Sequence, residues 1–115
     1  MKIYVDGSTN YNGQKGQDSY VIVLTPKLKI ERPIGNQTIS YAELYAILLG
    51  CIHAKDKDEI YSDSQFSVRV CNGEWKIKAD HLKDIVSGIK KILKDKQLRL
   101  IWISRELNKS HPEED

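Results

Sequence analysis

Apolar residues recur along this chain in two rhythms, one of period two and one near three and a half. Ile3, Tyr4 and Val5 form a short β-branched and aromatic run closed by Asp6-Gly7, and a polar stretch rich in Gly and Asn follows to Asp18. That pattern predicts a strand ending in a turn or loop. Ser19 to Leu24 reads as a second strand and Thr25-Pro26-Lys27 as a turn. Leu28 to Ile34 reads as a third strand, with Leu28 and Ile30 alternating and Pro33 weakening its end. Three strands with short joins predict an antiparallel meander.

From Ser40 the rhythm changes. Ala42 through Ile52 is apolar almost all the way round, as expected of a buried helix, and Glu43 is its one charged residue. Ile60-Tyr61-Ser62 predicts a short strand, and Asp63-Ser64 is placed to cap a helix running to about Cys71. Leu82, Ile85, Val86, Ile89, Ile92 and Leu93 make an amphipathic stripe, with Asp80 as its expected cap and lysines opposite. Leu98 to Ile103 reads as a final buried strand flanked by helices. The order βββ-α-β-α-α-β implies a mixed sheet in which the meander continues through helical crossovers into parallel strands.

At 115 residues the chain is read as one domain spanning 1–115 with a single core. Its 40% hydrophobic and 30% charged residues are ordinary for a soluble globular protein. A strand-like start after Met1 and the lack of a membrane-length apolar run predict the cytoplasm. Cys51 and Cys71 have no partner pair at metal-ligand spacing and are expected to be buried thiols. The formal net charge of +2 says little, but its distribution says more. Residues 64–105 carry Arg69, Lys76, Lys78, Lys83, Lys90, Lys91, Lys94, Lys96, Arg99 and Arg105 against Glu74, Asp80, Asp84 and Asp95. Such a region can follow a phosphate backbone, although charge alone favours a solvated helix face.

Each of three acids has an innocent explanation. Asp6 can open an Asp-Gly turn, Glu43 can complete a capping box with Ser40, and Asp63 can be an N-cap. Their combination carries more weight. If the first and fourth strands are parallel neighbours, Asp6 and Asp63 emerge at their carboxyl ends, where open α/β sheets place ligands, and Glu43 reaches the same edge. Three carboxylates there repel unless cations join them, and hard oxygen ligands suit magnesium or manganese.

The segments Tyr4-Val5-Asp6-Gly7-Ser8, Tyr41-Ala42-Glu43-Leu44-Tyr45-Ala46-Ile47 and Tyr61-Ser62-Asp63-Ser64-Gln65-Phe66 resemble, in order and spacing, those of the ribonuclease H family. The resemblance runs from Ile3 to about Asn108 and is to the type 1 enzymes. It implies an α/β ribonuclease H-like fold: a five-stranded mixed sheet, antiparallel in strands 1–3 and parallel in strands 4 and 5, with helices on both faces. It implies hydrolysis of the RNA strand of RNA–DNA hybrids by two Mg²⁺ ions about 4 Å apart, with Mn²⁺ as substitute. Asp6, Glu43 and Asp63 correspond to the family's first three metal-binding carboxylates, Asp6 bridging both ions.

By the same resemblance Gln65 meets the RNA strand in the minor groove, and Asn72-Gly73-Glu74-Trp75-Lys76 is similar to a turn carrying a Trp and a Lys near the DNA strand. Contacts to nucleic acid are thereby expected at Gly7, Ser8, Asn10, Ser40, Gln65, Trp75, Lys76 and Arg105. The form is compact, without the basic protrusion or the C-terminal helix. Trp102 through Lys109 resembles the last strand and its Arg-Glu-x-Asn-Lys continuation. Where the family carries a fourth aspartate this chain has Pro112, so Glu113, Glu114 or Asp115 is expected to substitute, Glu113 as metal ligand and Asp115 as catalytic acid. A pair of asparagines in many relatives is replaced here by Ile39-Ser40.

Selectivity would come from 2′-hydroxyls read by shape, without sequence specificity. A monomer is expected, with a dimer through the sheet face left open by the missing helix as the alternative. The competing function is a weak or inactive domain of the same fold that binds nucleic acid or a protein partner. A flavodoxin-like small-molecule domain is disfavoured, since no Gly-rich phosphate loop follows the first strand. Tyr41 and Tyr45 are read as core, His53 and His81 as surface, and His111 as a neighbour of the site.

Overall fold

Alternation in the first third of the chain builds three strands, β1 (Lys2–Thr9), β2 (Ser19–Leu24) and β3 (Lys29–Pro33). A computed structural model describes residues 1–9 and 19–110. β1 pairs antiparallel with β2, and β2 with β3. Helix α1 (Ile39–His53) then crosses to β4 (Glu59–Ser62), and α2 (Gln65–Cys71) and α3 (Asp80–Asp95) lead into β5 (Arg99–Trp102). β4 runs parallel to both β1 and β5, and the sheet order is β3-β2-β1-β4-β5. Pro33 is accommodated because β3 is an edge strand, where a missing N–H breaks no inner ladder.

Ile3 and Val5 of β1, Val21 and Val23 of β2, Ile60 of β4 and Leu100 of β5 are buried with Leu44 and Ile47 of α1, Val68 of α2, and Val86 and Ile89 of α3 in one hydrophobic cluster. The sequence placed helices on both faces. Among the described residues α1, α2 and α3 share one face, because their apolar stripes close on this single cluster. On the other face Tyr4 and Tyr61 stack at 5.2 Å between ring centroids, half-buried. β5 also departs from expectation: it is an edge strand with Leu100 buried and Trp102 exposed.

Helix ends differ from the sequence reading by one or two residues, with consequences for the acids. Thr38, not Ser40, caps α1, its hydroxyl accepting from the Tyr41 N–H at 3.2 Å. Ser64, not Asp63, caps α2 by accepting from the Ser67 N–H at 3.3 Å. Asp80 is the first residue of α3 rather than its cap, and pairs with Lys83 at 2.7 Å. Glu43 and Asp63 are therefore released from the capping roles that would have explained them. At the far end of α1, the Lys96 ammonium donates to the carbonyls of Cys51, Ile52 and Ala54 at 2.9–3.0 Å, meeting acceptors the helix leaves open. Cys51 and Cys71 are buried thiols as expected, and burial pushes both up to about 12. No helix among the described residues is long and apolar enough to cross a membrane.

Candidate metal centre and nucleic-acid interface

Parallel pairing of β1 with β4 runs from Lys2↔Glu59 to Tyr4↔Tyr61. β1 continues beyond it, still bound to β2 on its other side, so Asp6 is inside a strand rather than at a turn. Asp63 follows the last residue of β4. Both acids thus stand where the two strands part. Glu43 reaches them because Gly7 lets α1 come close: a Cβ at Gly7 would overlap the Ala42 carbonyl and the Glu43 amide nitrogen. Gly7 is therefore packed beneath α1, not displayed to a ligand, and its N–H donates to Glu43 Oε2 at 3.4 Å.

One carboxylate oxygen from each of Asp6, Glu43 and Asp63 lies within 4.8 Å of the others. Asp6 is only 4% exposed. Burial, followed by the negative charges of Asp6 and Asp63, pushes the Glu43 carboxyl up to about 8, against a small opposing pull from the Gly7 amide. Like charges crowded in a desolvated corner favour a bound proton or a bound cation. Oxygen donors at this spacing fit a hard divalent ion, whose charge would reverse the repulsion.

Asn108 was legible in the sequence only as part of a motif, and the structure gives it a task. Its Nδ2 donates to the Val5 carbonyl at 2.9 Å and to Asp63 Oδ2 at 3.2 Å, bracing the split between β1 and β4. Its Oδ1 accepts from the Ser110 N–H at 3.1 Å and hydroxyl at 2.7 Å, which fixes the amide's orientation. The Trp102 indole N–H donates to the Asp63 carbonyl at 3.2 Å. No local signal could have found the contacts to Val5 and Asp63, because those partners lie 39 to 103 residues apart.

Gln65 opens α2 two residues after Asp63 and is exposed. Trp75 is exposed, as is Lys76 beside it. Ser8 lies in β1 and Ser40 in the first turn of α1, both half-buried; Arg105 is exposed in a short 3₁₀ turn, Arg105–Leu107. Asn10, His111, Glu113, Glu114 and Asp115 lie outside the described residues.

A search of the curated proteins found no significant match. Among solved structures the chain is similar to RNase H1 from the halophilic archaeon Halobacterium salinarum NRC-1, with 17% identity over 95% of this chain and 89% of that one and a TM-score of 0.77. It is also similar to the N-terminal RNase H domain of rv2228c from Mycobacterium tuberculosis, at 19% identity over 93% and 84% and a TM-score of 0.76. LC11-RNase H1 in complex with an RNA/DNA hybrid matches at 23% identity over 94% and 88%, with a TM-score of 0.74. These likenesses establish the fold. The profile of the RNase H family matches residues 1–110, which include all three clustered acids. The chain belongs to the RNase H family.

Proposed function

We propose that this chain hydrolyses the RNA strand of RNA–DNA hybrids with divalent metal ions, Mg²⁺ or Mn²⁺, held by Asp6, Glu43 and Asp63. The observation that carries the reading is the carboxylate cluster itself: acids from β1, from α1 and from the end of β4 share one corner, and nothing in the capping of α1 or α2 requires two of them there. LC11-RNase H1, a neighbour described in complex with an RNA/DNA hybrid, supports the choice of substrate.

Bound divalent cations would supply an activated water and neutralise charge on the leaving oxygen of a phosphodiester. This chain's residues do the rest. Asp6 is held inside β1, Glu43 is brought in over Gly7, and Asn108 with Trp102 holds Asp63 in place. In this reading Gln65 meets the RNA strand and Trp75 and Lys76 the DNA strand, with Ser8, Asn10, Ser40 and Arg105 as further contacts. Glu113, Glu114 or Asp115 is the sequence's candidate for a fourth acid. A monomer suffices for this chemistry.

The second reading, a hybrid-binding domain of little or no activity, is favoured by Pro112 standing at the family's fourth aspartate. One assay separates them. Labelled hybrid, double-stranded RNA and single-stranded RNA are incubated with Mg²⁺, Mn²⁺ or EDTA. Cleavage confined to hybrid and abolished by EDTA supports the nuclease, whereas binding without cleavage in either metal supports the second reading.

A further inference from the structure

Trp75 is 46% exposed, and one residue of α2 contacts it there. The carbonyl of Arg69 accepts the N–H of Glu74 at 2.8 Å and that of Trp75 at 3.3 Å, folding the chain back on the helix after a left-handed turn at Gly73 (φ +79°). The Arg69 side chain repeats the connection. Its guanidinium lies 5.5 Å from the Trp75 ring centroid, and Nη1 is 3.5 Å from Glu74 Oε2. Its other edge turns to Gln65, one helical turn back: with the amide oriented as those donors require, Gln65 Oε1 accepts from Nε at 3.1 Å and Nη2 at 3.3 Å.

From this geometry we infer that Arg69 is a positioning residue, a rigid spacer that fixes the distance between Gln65 and Trp75 and so matches the protein to the separation of two paired nucleic-acid strands. The inference rests on the proposed function, in which those two side chains face the RNA and DNA strands respectively. A planar guanidinium suits the task because it stacks on a ring and hydrogen-bonds along its edges at once. A lysine ammonium carries the same charge but cannot do both. The Glu74 pair is exposed on both sides and contributes little by itself.

The test is steady-state cleavage of labelled hybrid by wild type, Arg69→Lys and Arg69→Gln across a range of salt, repeated in a Trp75→Ala background. Both single variants should raise KM about tenfold with kcat nearly unchanged, Lys faring no better than Gln and keeping the wild-type salt slope. In the Trp75→Ala background the Arg69→Lys penalty should shrink to under about twofold, since the spacer has lost one end. Full rescue by Lys would make Arg69 a simple phosphate-attracting charge and overturn the inference. An undiminished penalty without Trp75 would overturn it too, and covers the case of a variant that is merely less well folded. A wild type that cleaves hybrid beside an unaffected Arg69→Lys sinks this inference alone, whereas a wild type with no activity on hybrid removes the proposed function and this inference with it.

Discussion

Buried carboxylates occupy both ends of the parallel β1–β4 pair, and their surroundings drive them in opposite directions. At the starting end Asp58 is 4% exposed and accepts from the Met1 ammonium at 2.6 Å and the Lys55 N–H at 2.7 Å. Burial raises its pKa, but these donors outweigh burial and hold it below the usual carboxylate range. At the carboxyl end, burial and the charges of Asp6 and Asp63 act in the same sense on Glu43 and bring it to about 8. The difference between the ends is charge balance. An acid whose neighbours satisfy it explains itself as structure, whereas an acid that two like charges and burial drive the same way calls for a ligand from outside.

The largest effect should come from removing one charge at the unbalanced end. Asp63→Asn keeps an oxygen for Asn108 to donate to, so the fold should survive while hybrid cleavage in Mg²⁺ falls by at least about a thousandfold. Circular dichroism superimposable on wild type would establish the first half. Activity within tenfold of wild type would show that Asp63 does not hold metal, and the contrast between the two ends would lose its functional meaning.

Next in size is the pH dependence of metal binding. Because Glu43 holds its proton to about pH 8, a cation must displace that proton, and Mg²⁺ affinity should rise up to about tenfold per pH unit between about pH 6 and 8 before levelling off. Calorimetry in two buffers of different ionisation enthalpy should register close to one proton released at about pH 7. Glu43→Gln should weaken binding and flatten the slope, and a steep slope persisting in that variant would assign the proton elsewhere.

At the balanced end, Asp58→Asn removes the negative charge that balances the Met1 ammonium and should cost about 1–3 kcal/mol of stability at neutral pH. Asp58 has a lowered folded pKa. Its contribution is therefore present above its ordinary value of 3.8 and lost as pH falls through the folded value. Urea denaturation at neutral and acid pH should show the penalty only at the former. Cleavage measured well below the melting temperature should be unchanged.

Most of the fold was legible because it rests on periodicity, which is local. All five strands and three helices appear in the predicted order, and the parallel β1–β4 pairing, on which the meeting of Asp6 with Asp63 was conditional, is present. What escaped was set either by competition among near neighbours or by contacts distant in sequence. The α1 cap shifted from Ser40 to Thr38, and of the expected Asp63-Ser64 pair it is Ser64 that caps α2, because neighbouring hydroxyls and acids compete for the same amides and packing decides between them. The role of Asn108 depends on Val5, 103 residues away, and the exposure of β5 on its place at a sheet edge. Arg69 escaped because three different partners give it its meaning, and a sequence shows only a lone charge.

The smallest effect, and the sharpest on the comparison, is on the stability of the metal-free protein. Glu43 has a raised folded pKa, so its contribution is fully present below the ordinary value of 4.5 and is lost as pH climbs through about 8. Asp6→Asn removes one of the like charges behind that loss and supplies an amide able to donate to the Glu43 carboxylate. In EDTA the variant should gain stability over wild type on the order of 1 kcal/mol at about pH 8 and almost nothing near pH 5. The same change of Asp to Asn thus stabilises at one end of the strand pair and destabilises at the other. Saturating Mg²⁺ should reverse the order, since wild type gains the free energy of metal binding and the variant largely forgoes it. Denaturation at both pH values, with and without metal, provides the comparison. Equal destabilisation of Asp6→Asn at both pH values in EDTA would mean that Asp6 is a satisfied structural acid like Asp58.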